Sequence, residues 1–256
     1  MIIDLHSHLL PKIDDGSTSY KASIRMAQEA VDNGVTAALM TPHHMNGYYL
    51  NHKQDVIKLT NEFQIQLDNN NIPLRVFPSQ EIRINGSLIE ALDNDDILFA
   101  DEFNRYLLIE FPDDDVPMYT KNLIFQIMQR GITVQIAHPE RNTKIMENPK
   151  ILFDLVDNGA LSQVTAGSYI GLFGKKIAKF SEEILSHNLG HVLVSDAHDL
   201  PNRGYAITQA MHKVESKLGK SYRELLENNA EAILTGKNVT KYSPEIIVKR
   251  KYFSKF

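Results

Sequence analysis

Six times along this chain a short apolar run stops at one or two residues able to bind a metal ion. The segments are Met1-Ile-Ile-Asp-Leu-His6-Ser-His8, Ala38-Leu-Met-Thr-Pro-His43-His44, Val76-Phe-Pro-Ser-Gln-Glu81, Leu107-Leu-Ile-Glu110, Val134-Gln-Ile-Ala-His138 and Val192-Leu-Val-Ser-Asp196-Ala-His198. Ligands placed repeatedly at the C-terminal ends of strands meet at one point when those strands form a barrel. The pattern therefore predicts a metal-dependent enzyme with a multinuclear site.

Strand and helix signals alternate almost throughout. Strands are expected at residues 1–5, 36–41, 74–78, 106–109, 133–137, 161–165 and 191–194. Helices are expected at 17–33, 53–69, 119–130, 149–158, 175–187, 205–218 and 222–228, with a short one at 230–234 and an irregular stretch at 86–105. Apolar residues such as Ile24, Ala27, Ala30 and Val31 recur at helical spacing. Helical crossovers return the chain in the same direction, so the strands must pair in parallel. A doubly wound open sheet would gather ligands from only a few neighbouring strands at its switch point. Six of seven strand ends carry candidate ligands, and a closed barrel brings them to one centre. The expectation is α/β, one domain over residues 1–256, with a basic C-terminal tail at 240–256 that ends Lys249-Arg250-Lys251-Tyr252-Phe253-Ser254-Lys255-Phe256.

Composition narrows the chemistry. With 256 residues and 43% hydrophobic content, the chain has the mass for one barrel core. It has no cysteine, which excludes thiolate metal sites and every cysteine-nucleophile mechanism. The net charge of −5 argues against a nucleic-acid partner. No apolar run approaches membrane-spanning length, so no stable membrane insertion is expected. The start lacks the pattern of a signal peptide, and the expected location is the cytoplasm. A homo-oligomer is compatible with all of this.

In extended backbone, His6 and His8 share a face. Pro42 fixes a turn where His43 and His44 are presented, and His43 is the favoured ligand of the two. Asp15 lies in a loop able to fold back over the same mouth, and Glu81 and Glu110 are acids embedded in apolar strands. An acid there is costly unless paired or metal-bound. His138, Asp196 and His198 complete the rim; His52, His187, His191 and His212 fall away from strand ends. Imidazole and carboxylate without thiolate suit manganese, zinc, iron or magnesium. So many ligands imply two or three divalent ions, a set that can hydrolyse phosphate esters. Arg141 and Arg203 follow His138 and His198 closely enough to reach the mouth, where a guanidinium fork binds phosphate oxygens.

The motifs Asp4-Leu-His6-Ser-His8-Leu-Leu-Pro11, Asp14-Asp15-Gly16, Thr41-Pro-His43-His44, Gln80-Glu81-Ile-Arg83, Tyr106-Leu-Leu-Ile-Glu110-Phe-Pro112, Ala137-His138-Pro-Glu-Arg141-Asn142 and Ser195-Asp196-Ala-His198 occur in order over residues 1 to about 203. As a set they resemble the polymerase-and-histidinol-phosphatase (PHP) superfamily. Within it the chain is similar to the bacterial protein-tyrosine phosphatases of capsule and exopolysaccharide operons. The resemblance implies a distorted (β/α)7 TIM-like barrel and a trinuclear site, with manganese the usual metal. It implies one ion on His6, His8, Glu81 and Asp196, a second on Glu81, Glu110 and His138, and a third on Asp15, His43 and His198. Arg141 and Arg203 would orient the phosphate. The implied substrate is the phosphorylated tyrosine-rich tail of a cognate bacterial tyrosine kinase that controls polysaccharide synthesis. The implied reaction is direct attack by a metal-bridging hydroxide. Tyrosinate, with a pKa of about 10, is a tolerable leaving group without a strong general acid. The alternatives are a histidinol-phosphatase-like phosphoesterase, an amidohydrolase-type hydrolase and a non-catalytic PHP binding module. Carboxylates at Asp15 and Glu110, no histidine on the strand at 161–165, and no missing ligand weigh against these in turn.

Overall fold

A computed structural model describes residues 2–248. The strands are β1 (Ile2–Ser7), β2 (Val35–Met40), β3 (His43–His44), β4 (Arg75–Pro78), β5 (Glu81–Arg83), β6 (Tyr106–Glu110), β7 (Thr133–Ile136), β8 (Leu161–Thr165) and β9 (Val192–Val194). The helices are α1 (Tyr20–Asp32), α2 (Lys53–Asn69), α3 (Leu88–Asp93), α4 (Thr120–Met128), α5 (Thr143–Glu147), α6 (Lys150–Asp157), α7 (Ala166–Ile170), α8 (Lys175–Ser186), α9 (Ile207–Leu218) and α10 (Lys220–Leu234). All strand pairs are parallel, in the orders β1-β2-β4 and β3-β5-β6-β7-β8-β9.

Nine segments make seven strands, because β2/β3 and β4/β5 are each one strand with a break. The first break falls at Thr41-Pro42, where proline has no N–H for the ladder. The second falls at Ser79-Gln80. Backbone bonds from Ser79 N to Met40 O and from Glu81 N to Pro42 O carry the pairing across both breaks. The two sheets meet again through a parallel bridge between Ser7 and Ala197, with His8 N donating to Ala197 O at 2.9 Å. The result is a distorted seven-stranded (β/α) barrel. Every strand delivers its C-terminal end to the same rim.

Local chemistry explains the elements. Ser19, in extended backbone, caps α1 by accepting from Ala22 N. Met26, Ala27 and Ala30 form its buried stripe. Two apolar clusters hold the barrel. The larger runs beneath the helices and includes Phe63, Leu67, Ile82, Leu107 and Ile136. The smaller joins Leu5, Leu39, Leu161 and Val194 to Ile233 of α10. Burying each such side chain contributes about 1.5–3 kcal/mol.

Three differences from the expected elements stand out. The helices expected at 222–228 and 230–234 are one helix, α10. Asn229 does not end it, since its buried side chain donates to His191 O and Thr240 O and accepts from Thr240 N. A single 3₁₀ turn at Pro139–Arg141 and the short helices α5 and α7 follow strand ends where loops were expected. Of the tail, residues 240–248 pack back onto the barrel, with Ile247 in the larger cluster and Glu245 N donating to His187 O. Residues 249–256 lie outside the described residues. No described helix is long and apolar enough to cross a membrane.

Candidate metal centre

The rim draws His6, His8, Asp15, His43, Glu81, Glu110, His138, Asp196 and His198 into one cluster. Glu81 is its hub: Oε2 lies 3.2 Å from His6 Nε2, 3.3 Å from His8 Nε2 and 3.1 Å from His43 Nδ1. The other oxygen, Oε1, is 2.9 Å from His138 Nε2. Asp196 Oδ1 lies 3.4 Å from His6 Nε2 and 3.5 Å from His198 Nδ1. Asp15 Oδ1 reaches His43 Nε2 at 3.3 Å and His198 Nε2 at 3.6 Å. Glu110 stands 3.6 Å from both His43 and His138. All but Asp15 are buried.

Two features show that this cluster fits metal ions. His43 Nδ1, Glu81 Oε2, Asp196 Oδ1 and His198 Nε2 are buried and have no hydrogen-bond partner. Orphaned polar atoms cost folding energy unless something compensates them, and cations bound within the cluster would do so. The histidines are also turned for the task. His6 Nδ1 contacts Gln163 Oε1 at 3.1 Å, while Gln163 Nε2 donates to Gln135 Oε1. Gln163 therefore accepts, His6 carries its proton on Nδ1, and its Nε2 lone pair faces the cluster. Asp14 holds the Nδ1 proton of His8, with Oδ2 2.7 Å from Nδ1. The backbone oxygen of Asp196 does so for His198 at 3.0 Å. Such outer contacts fix the tautomer of a metal-binding histidine.

Three overlapping groups present donor atoms close enough to share an ion: His8, Asp15, His43 and His198; His6, His8 and Glu81; and His43, Glu81 and Glu110. His8 and His43 each enter two groups, where the resemblance gave each to one.

Electrostatics divide the cluster between groups held charged and groups held neutral. Burial alone would push the His8 imidazole down, but Asp14 and Glu81 raise its pKa to about 10. Its stacked neighbour His198, 3.8 Å away between ring centroids, is lowered to about 3 by burial and by the His8 charge. Burial and Glu81 raise Glu110 to about 7. Burial and Arg141 lower His138 to about 4. Asp196 is held well below the usual carboxylate range: Arg141, His198, His6 and Arg203 overcome its burial.

Backbone strain sits on two of these residues. His138 has φ 31° and Asp196 has φ 51°, in the left-handed region that costs a residue with a side chain about 1–3 kcal/mol. Asp196 N donates to His6 O at 2.9 Å, which locks that turn against β1. Gly16 shows a tighter constraint, since a Cβ there would stand 2.4 Å from the His8 carbonyl oxygen. Only glycine lets the Asp14-Asp15 loop lie on the end of β1.

Arg141 and Arg203 reach the mouth. Both guanidinium groups lie on Asp196 Oδ2, at 2.5 and 3.1 Å, and both line the pocket above the cluster. Residue motifs did not reveal the supporting cast. Asp14 and Arg83 stand in the motifs without an assigned role, and Gln163 stands in none of them. Arg83 in fact donates from Nε to Glu110 Oε2 at 3.0 Å. His44, the histidine set aside at Thr41-Pro42, is buried and faces the ring of His52 rather than the cluster.

The profile of the capsular polysaccharide synthesis family CpsB/CapC matches residues 2–235. The chain belongs to the CpsB/CapC family. Among CpsB/CapC relatives, the tyrosine-protein phosphatase YwqE of Bacillus subtilis (strain 168) is 39% identical over 255 residues, covering 100% of both chains. CapC of Staphylococcus aureus is 38% identical, covering 98% of each. The fold also matches a chain from the crystal structures of YwqE from Bacillus subtilis and CpsB from Streptococcus pneumoniae, described as unique metal-dependent tyrosine phosphatases. That match has a TM-score of 0.93 at 38% identity and covers 97% of this chain and 100% of the other.

Proposed function

We propose that this CpsB/CapC protein is a metal-dependent protein-tyrosine phosphatase, acting in the cytoplasm on the phosphotyrosine tail of a cognate bacterial tyrosine kinase that regulates capsular or exopolysaccharide synthesis. The observation that carries this reading is the buried hub at Glu81, with three imidazoles from the ends of two strands around one orphaned carboxylate oxygen and three further orphaned atoms on His43, Asp196 and His198. The activity of YwqE and the capsule context of the family support it.

His6, His8, Asp15, His43, Glu81, Glu110, His138, Asp196 and His198 would hold two or three divalent ions, manganese first among them. Bound there, the ions would supply an activated water and neutralise charge on the phosphoryl group. The chain's own contribution is positioning. Arg141 and Arg203 would leave Asp196 to fork the non-bridging oxygens of the phosphate. Arg83 would keep Glu110 oriented, and Asp14 and Gln163 would hold the imidazoles in the productive tautomer. The absence of cysteine is consistent with transfer to water without a phosphocysteine. Residues 1–256 would work as one domain.

The test is turnover of a phosphotyrosyl peptide by protein as purified, after chelation and after readdition of Mn²⁺, with metal content measured in parallel. Activity should vanish with the metal and return with it, and Glu81→Ala should lose both. Full turnover by metal-free protein would end this reading.

A further inference from the structure

The pocket over the cluster has a volume of about 570 Å³ and is lined by charged and polar groups, the exposed Tyr48, and two half-buried rings, Tyr49 and Phe173. Neither ring offers a donor set for a cation or a fork for a phosphate. Both are set in place before any ligand arrives. Tyr49 belongs to the loop between β3 and α2. There Asn46 Oδ1 accepts from Tyr48 N at 3.0 Å and Tyr49 N at 2.7 Å. Asn51 Nδ2 ties the same loop to His43 O at 2.8 Å and Ile13 O at 3.0 Å. The Tyr49 ring lies within 12° of parallel to His43, with centroids 6.2 Å apart. Phe173 belongs to the turn between α7 and α8, and the Arg141 guanidinium sits 5.3 Å from its centroid. Its ring packs on Gly167, where a Cβ would come within 3.2 Å of Phe173 Cε2.

Depth gives these rings a purpose. His138, Asp196 and His198 line the pocket where it is buried, at its floor, whereas Tyr49 and Phe173 are half-buried. A phosphate held at the floor on an alkyl ester would draw the peptide backbone in beside the rings. A phosphotyrosine places an aromatic ring between backbone and phosphate, at the level where two rings wait. We propose that Tyr49 and Phe173 wall a slot for the aromatic ring of an aryl phosphate and so determine the preference of this site for phosphotyrosine over phosphoserine. This rests on the phosphatase reading above. Stacking and edge contacts between rings are worth roughly threefold to tenfold in affinity each, and walls already in place cost little ordering on binding.

The experiment compares wild type, Tyr49→Ala, Phe173→Ala and Phe173→Leu, the last keeping an apolar side chain over Gly167 should alanine disturb folding. The first readout is kcat/KM for matched phosphotyrosyl and phosphoseryl peptides. The second is the Kd of phenylphosphonate against methylphosphonate, by calorimetry on metal-loaded protein. The aryl-to-alkyl ratio should fall roughly threefold to tenfold in each variant by both readouts, and Phe173→Tyr should restore it. An unchanged ratio overturns the proposal, and so does an equal loss for both ligands, which marks a purely structural role. A wild type inert toward both peptides would strike the phosphatase reading instead, and the phosphonate comparison would still decide the slot.

Discussion

Replacing Asp14 by asparagine removes one charge and one acceptor from a carboxylate that the sequence motif makes look equivalent to Asp15. Asp14 is buried behind His8 and never faces the metal space. Its Oδ2 lies 2.7 Å from His8 Nδ1 and accepts from His43 N at 3.2 Å, while Oδ1 accepts from Gly16 N at 2.9 Å. All three demands are for an acceptor, and asparagine has one oxygen. If its NH₂ group faces Gly16, a donor meets a donor. If it faces His8, the imidazole must move its proton to Nε2, the atom that points at Glu81. Losing a charge-assisted bond of this kind costs about 1.5–3 kcal/mol. The expected consequence is a roughly 10- to 100-fold weaker metal affinity. Competition between the protein and a calibrated chelator for Mn²⁺ measures it directly. Asp15→Asn, which alters a half-exposed side chain facing His43 and His198, is the comparison. Metal affinity within twofold of wild type in Asp14→Asn would show that the tautomer argument is wrong.

Arg141→Ala should keep its metal while inorganic phosphate inhibits roughly 10- to 100-fold more weakly, the loss of a charge-assisted pair; metal loss in the same variant would reassign Arg141 to holding Asp196. Gly16→Ala should lower the stability of metal-stripped protein by about 1–3 kcal/mol, because the new methyl group meets backbone that cannot swing away; an unchanged melting temperature would mean that the Asp14-Asp15 loop does not pack on β1. His191 predicts a pH effect away from the metal centre. Its buried ring is lowered from 6.5 to about 3 by burial and by Lys241, and its Nδ1 accepts from Ser162 N. Folding holds this imidazole neutral while the unfolded chain takes up a proton, so its contribution is complete above pH 6.5 and is lost as the pH falls toward 3. In metal-loaded protein, His191→Asn should reduce the slope of unfolding free energy between those limits by up to about 1.4 kcal/mol per pH unit; an identical slope would exclude the ring as its source.

Residue type and short-range period were enough to read the α/β alternation. Helix α2 and strand β8 fall where periodicity puts them, because their apolar spacing is a local property of the chain. Eight of the nine candidate ligands were legible for a related reason: each stands at or just beyond the point where a strand signal stops, which can be recognised without knowing the strand's neighbours, whereas Asp15 lies in the loop between β1 and α1. Local signals misled where distant partners took over. Asn228-Asn229 reads as a helix break, yet contacts from Asn229 to His191 and Thr240 carry α10 through it. Pro42 announced a turn but not that β3 resumes beyond it in register with β5.

What the chain alone determined was the inventory of donors, the absence of a thiolate and the repeated placement of ligands at strand ends. What only the folded molecule decided was which atoms meet. Asp14 and Asp15 are neighbours in sequence, yet one turns inward to hold an imidazole and the other outward to the mouth. Gln163 gained its role from His6, 157 residues away. The physical reason is that backbone preference acts over a few residues, whereas tautomer, charge and coordination depend on groups brought within a few ångströms by closing the barrel.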